Sequence, residues 1–199
     1  MSKSQTLSEP ALAGPARRRF AHSATIGMGL FVFAEIMLFS GFISAYAIVA
    51  GSAMPGMWPP PDQPRLPIER TALNTLALLA SGVLLFLGGR RFRRSGAAAA
   101  RPWLFGALAL GAAFVLFQGF EWVALLGHGL TLTSSQLGAF FCVIIGTHGL
   151  HALAAILALA WGVYAMRAGR LKESALGAIE LFWYFVVLVW PLLYWKVYL

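Results

Sequence analysis

The stretch Leu30–Phe42, LFVFAEIMLFSGF, decides how this chain folds. Glu35 is its one charged residue, and most of the others are large and apolar. It lies inside an apolar run over about 24–50, and about 17–25 such residues suffice to cross a bilayer. The apolar part of a secretory signal is only about 7–15 residues long, so we expect this run to be a retained membrane helix.

Four further runs of the same character follow. The chain has 199 residues, of which 59% are hydrophobic and 11% charged, and this is too apolar for an ordinary soluble domain. Backbone amides in lipid must be hydrogen-bonded within their own segment, so apolar runs of this length predict α-helices. The predicted fold is therefore an all-α integral membrane protein. It is a five-helix transmembrane domain over 24–199, with helices at about 24–50, 72–89, 103–126, 138–166 and 174–198. Residues 1–23 are predicted to form a disordered cytoplasmic tail, because they contain little that could be buried.

The basic residues predict the orientation. The net charge is +8, but the fifteen Lys and Arg residues are spread unevenly. Twelve lie in the N-terminal tail or the second and fourth connections, and only Arg65, Arg70 and Lys196 lie on the other side. The positive-inside rule then places the N-terminus in the cytoplasm and the C-terminus outside. We take the excess as a signal of topology rather than of nucleic-acid binding, and we expect a multi-pass protein of the bacterial plasma (inner) membrane.

Three carboxylates and two histidines fall inside the predicted helices: Glu35, Glu121, Glu180, His148 and His151. Charged groups at this depth are costly unless they are paired or neutral. From a rise of about 1.5 Å per residue, Glu35 and the two histidines reach a similar depth, so a bond from Glu35 to His148 or to His151 is geometrically possible. Burial would favour the protonated carboxyl.

Other interpretations of these residues stay open. A Glu–His bond can simply hold two helices together, and Glu121 and Glu180 are expected to be structural. A haem or zinc site within this chain is disfavoured, because two of the four histidines share one helix and a third ligand is missing. No nucleophile–base pair or nucleotide fingerprint is present. We therefore expect no catalytic, cofactor-binding or metal residues.

Several motifs resemble subunit III of the haem-copper respiratory oxidases, in its short five-helix form. In chain order the resemblance rests on IGMGLFVFAEIMLFSGFISAY, MWPPP, ALNTLALLAS, FQGFEW, GTHGLHALAA and IELFWYFVVLVWPLLYWKVYL. Their order and spacing extend from about residue 24 to the end. The resemblance aligns Glu35, Glu121, Glu180, His148, His151 and Trp190 with polar or aromatic positions of the family. The last helix departs from it, since Tyr184 and Val187 stand where relatives commonly have His and Asp.

The resemblance implies a non-catalytic subunit of a proton-translocating terminal oxidase in aerobic respiration. Haem and copper would be in partner subunits, and this chain would pack against catalytic subunit I, bind structural phospholipids, and support proton uptake and turnover stability. Three alternatives remain: a haem-b-binding anchor of a quinol-linked oxidoreductase, an accessory subunit of a nitric-oxide-reductase-type complex, and a small transporter using Glu35 and His148. The electron donor, cytochrome c or quinol, is left open.

Overall fold

The computed structural model describes residues 16–54, 58 and 68–198, with the side chains of 24–54, 58 and 68–197. Within these residues the chain forms four α-helices and a terminal π-helical turn. They are α1 (Ala16–Ser52), α2 (Ile68–Gly127), α3 (Gln136–Arg167), α4 (Glu173–Leu193) and the turn Tyr194–Tyr198. Residues 55–57 and 59–67 of the proline-rich connection between the first two helices lie outside the described residues. Trp58 is described, and its ring centroid lies 5.7 Å from that of Tyr46.

α2 is a helical hairpin folded at Gly96. This residue has φ 81° and ψ −177°, a backbone conformation that is essentially restricted to glycine. Asn74 Nδ2 donates to Gln118 Oε1 at 3.3 Å, and these two residues lie equally far along the chain on either side of Gly96. The two arms, 68–95 and 97–127, therefore run antiparallel and pack against each other. Two of the five predicted helices are the arms of this one element.

α4 lies at the centre of the bundle and contacts α1, α2 and α3. Its side chains Trp183 and Trp190 are fully buried. The first arm of α2 buries small residues, and two of them, Thr75 and Ser81, accept hydrogen bonds from these tryptophans. Gly82 and Gly89 lie against other α4 side chains, Val187 and Glu180. Helices in a membrane approach each other through such residues, since lipid solvates Leu and Phe as well as a protein interior does.

α1 lies at the edge of the bundle, against α4 and α3. Its outer face exposes large apolar side chains, including Leu30 at 68% and Ile48 at 69%. All four helices of the described residues are long and apolar enough to cross a membrane. The predicted all-helical membrane bundle is confirmed, whereas the number of crossings and the orientation of the termini stay predictions.

Candidate functional site

Glu35 is paired with His151. Glu35 Oε2 lies 3.1 Å from His151 Nε2, and the two side chains are only 15% and 13% exposed. α1 supplies the carboxyl and α3 supplies the imidazole, so the contact joins the edge helix to the bundle. The sequence left both histidines open as partners, and the structure brings His151 to Glu35.

The other ring nitrogen of His151 fixes the proton count of this pair. Nδ1 lies 2.7 Å from the backbone carbonyl oxygen of Thr147, which can only accept a hydrogen bond, so Nδ1 carries a proton. In a neutral ring Nε2 is then a bare acceptor. A bare nitrogen and a carboxylate at 3.1 Å would repel each other, so we infer that the pair holds one proton, although Glu35 Oε2 and His151 Nε2 are not aligned as a hydrogen bond. Whichever atom holds it, the pair has no net charge, which explains how a carboxyl is tolerated at this position.

Four phenylalanine rings surround His151. They belong to α1 and α4, and their centroids lie 5.7–6.3 Å from that of the imidazole: Phe31, Phe39, Phe182 and Phe185. An apolar shell of this kind keeps water away and strengthens the interaction between the two polar groups inside it. The pair is therefore an isolated, neutral proton-holding site.

His148 lies one helical turn away in a different setting. Its ring stacks on Trp190, with centroids 5.1 Å apart, and contacts Phe39 edge-on at 6.1 Å. The side chain is 1% exposed, and neither ring nitrogen has a hydrogen-bond partner among the described residues. Trp190 itself donates from Nε1 to Thr75 Oγ1 at 2.9 Å. His148 is thus a buried polar group without a protein partner in the part of the chain that the structure describes.

Glu121 joins the two arms of α2. Its Oε2 accepts hydrogen bonds from Thr71 Oγ1 at 3.0 Å and from Gln118 Nε2 at 3.4 Å. Together with the Asn74–Gln118 bond, these contacts close the open end of the hairpin opposite Gly96. Glu121 is placed to stabilise the hairpin and is not brought near Glu35.

Glu180 forms a two-pronged ion pair with Arg93. The distances are 3.0 Å to Arg93 Nη1 and 3.3 Å to Nη2, with Arg93 41% and Glu180 9% exposed. Planar guanidinium and carboxylate groups match each other in this arrangement. Gly89 makes room for it, since a Cβ there would overlap Glu180 Oε1. The pair fixes α4 to the first arm of α2.

The two positions that depart from the family pattern are both on α4. Val187 is buried and packs against Gly82, where a Cβ would come within 3.2 Å of Val187 Cγ1. The Tyr184 hydroxyl is buried and has no hydrogen-bond partner among the described residues. Val187 thus makes an apolar contact, and Tyr184 places an aromatic ring, at the positions where the resemblance implies Asp and His.

Sequence reasoning missed Arg93 and the hydroxyls that hold the tryptophans. The charge pattern of the sequence uses Arg93 only as a topology signal, and it does not predict that Trp183 Nε1 donates to Ser81 Oγ at 3.1 Å. Thr75 and Ser81 do carry a signal, because they are polar residues within an otherwise apolar arm. Within the described residues no group of three or more His, Cys, Asp and Glu side chains could hold a metal ion; the expected absence of cofactors stays a prediction.

Comparisons with known proteins show the family of the chain. The family model described as "Cytochrome c oxidase subunit III" matches residues 4–199. A protein named "Cytochrome c oxidase subunit 3" from Synechocystis sp. (strain ATCC 27184 / PCC 6803 / Kazusa) is 33% identical over 181 residues, covering 87% of this chain and 74% of its own length. "Probable cytochrome c oxidase subunit 3" from Mycobacterium leprae (strain TN) is 29% identical over 177 residues, covering 87% of this chain and 86% of its own. This chain is an integral, multi-pass membrane protein that belongs to the cytochrome c oxidase subunit III family.

Proposed function

We propose that this chain is a non-catalytic subunit of a terminal oxidase complex, in which it packs against catalytic subunit I. Haem and copper are held by partner subunits, and this chain supports proton uptake and the stability of turnover. The observation that carries the proposal is the Glu35–His151 pair, a neutral proton-holding site inside an aromatic shell. While it holds its proton, such a site leaves no uncompensated charge in lipid.

The exposed apolar surface supports the membrane part of the proposal. α1 turns large side chains outward along its length, among them Leu30, Met37 and Ile48. Structural phospholipids would cover this face wherever a partner subunit does not, because an apolar surface of this size cannot remain in contact with water.

The proposal is tested first by purification. An affinity tag on this chain should recover a complex that contains a much larger haem- and copper-bearing subunit, and the chain alone should have no visible absorption band. A stoichiometric haem band from the isolated chain would instead identify it as a haem-binding anchor. Recovery with a nitric-oxide-reducing core would assign it to that class of complex.

The second test addresses Glu35. In Glu35→Gln the amide NH₂ can donate to His151 Nε2, so the contact between α1 and α3 persists while the exchangeable proton is lost. We expect normal assembly and a turnover that declines faster than that of the parent. Glu173→Gln is the matched control, since Glu173 is exposed at the start of α4 and should behave as the parent does. Equal sustained turnover in Glu35→Gln, Glu35→Ala and the parent would refute a role for the pair.

A further inference from the structure

A groove between the second arm of α2 and α3 is not used by the Glu35–His151 pair. Its volume is about 500 Å³, and its lining is mostly apolar, with Trp190 of α4 at its inner side. Leu150 and Leu153 form part of its rim and are 67% and 47% exposed. The groove therefore opens on the outer surface of the bundle, where lipid or another membrane protein must lie against it.

Each wall of the groove carries a glycine that no described residue packs against. At Gly119 on α2 and Gly149 on α3, no heavy atom lies within 4 Å of the position that a Cβ would take. Internal glycines of the same helices behave differently: Trp183 lies against Gly111, and Ile179 against Gly162. Glycines allow close helix approach in membranes. Since no helix of the described residues approaches Gly119 or Gly149, their surface is available to one from outside.

The groove also contains polar atoms that have no partner. His148 lines it, and both of its ring nitrogens lack a hydrogen bond among the described residues. The same holds for Nε1 of Trp122, which also lines the groove. A neutral imidazole offers one donor and one acceptor, and an indole offers one donor. Buried polar groups are nearly always hydrogen-bonded. The two unused donors and one unused acceptor of these rings therefore point to a missing polar partner.

We propose that the groove receives a transmembrane helix of a partner subunit, which places a hydroxyl or carboxamide side chain at the level of His148 and Trp122. This inference rests on the proposed function and deepens it by naming the docking face. A lipid acyl chain would fill the volume but has no hydrogen-bonding atom at this depth, and its ester oxygens stay near the headgroups. The nitrogens are covered in the chain alone, so docking requires the Trp122 ring, which lies against Gly146, to move aside.

Photo-crosslinking in native membranes tests the contact. A diazirine amino acid is placed at Leu150 on the rim of the groove, and at Met37 on the exposed face of α1 as the matched control, since both side chains are more than 60% exposed. We expect Leu150 to give an adduct with a peptide from a membrane helix of a partner subunit, and Met37 to give lipid adducts. A lipid adduct alone at Leu150, no adduct there, or the same protein adduct at both positions would overturn the docking face.

Two variants measure the contribution of the groove to assembly. Gly149→Leu fills it, whereas Gly41→Leu adds the same side chain to a helix position that is equally open on α1. We expect Gly149→Leu to reduce recovery of the partner at least tenfold and Gly41→Leu to leave it unchanged, with both chains unfolding like the parent when isolated. His148→Phe keeps the stacking on Trp190 but removes the hydrogen bonds, so it should weaken the association about threefold to tenfold.

The two proposals fail in different ways. If Gly149→Leu and His148→Phe retain the partner as the parent does, the groove is not the docking face, although membership in the complex stands. If the parent chain itself recovers no oxidase subunit, the proposed function is wrong and the docking face is wrong with it.

Discussion

Gly89→Ala should destabilise the chain far more than an ordinary glycine-to-alanine change in a helix. The added methyl group would overlap Glu180 Oε1, so the carboxylate has to leave its two-pronged contact with Arg93. Overpacking of this kind costs about 1–3 kcal/mol. Loss of an ion pair with one buried and one partly exposed partner adds about 1–3 kcal/mol, between the values for exposed and fully buried pairs. Alanine favours the helix by only about 1 kcal/mol, so we expect a net loss of about 3 kcal/mol.

The matched control is Gly41→Ala, where no heavy atom lies within 4 Å of the added methyl group. It should leave the free energy of unfolding unchanged or raise it by up to about 1 kcal/mol. The assay is unfolding of the purified chain in mixed micelles by titration with SDS, followed by circular dichroism.

A second background isolates the cause. In Glu180→Ala the atom that the methyl group would overlap is gone, so adding Gly89→Ala to that variant should cost nothing. The difference between the two backgrounds is the coupling energy of the pair of sites. If Gly89→Ala is as harmless as Gly41→Ala, or costs the same with and without the Glu180 carboxylate, the ion pair does not constrain residue 89 and the reasoning is refuted.

Three other substitutions can be measured in the same assay. Gly96→Ala should cost about 1–3 kcal/mol, because φ 81° is unfavourable for any residue with a Cβ; no loss would mean that the hairpin turns elsewhere. Trp190→Phe should cost about 1–3 kcal/mol by removing the 2.9 Å bond to the buried Thr75 hydroxyl, and Trp195→Phe, at a 60% exposed position, is its control. Tyr184→Phe should be neutral or stabilising by up to about 1 kcal/mol, because the buried hydroxyl lacks a partner among the described residues; a clear loss would reveal a partner.

Hydrophobicity predicted where the helices lie but not how far each continues. The sequence predicts a connection between the second and third apolar runs, because the residues there are polar or have small side chains. They include Arg90, Arg94 and the alanines 97–100. Arg and Ala are strong helix formers, so the helix extends through it on both sides of Gly96. A single glycine at a turn has no hydropathy signal, and only the backbone angles identify it.

The sequence could predict how deep the site residues lie in the membrane, but not how each helix is rotated about its axis. A rise of about 1.5 Å per residue placed Glu35 level with both histidines, yet these lie one turn apart on α3. Which of them faces α1 depends on how α3 is rotated about its own axis, and that rotation follows from side-chain packing, such as that of Phe39 against the two histidines. The Arg93–Glu180 ion pair could not be predicted for the same reason. Its two residues are 87 positions apart in sequence, so only the packing of the helices brings them together.

The short contact between Glu35 and His151 determines how the site responds to membrane voltage. A proton that moves between Oε2 and Nε2 travels at most 3.1 Å, about a tenth of a hydrocarbon core about 30 Å thick. At about 2.3 kcal/mol per charge per 100 mV for the whole membrane, this step gains or loses no more than about 0.2 kcal/mol for each 100 mV, which is less than thermal energy. Respiring and de-energised cells would therefore hold this proton in the same way, and only the local chemistry of the two side chains decides where it rests.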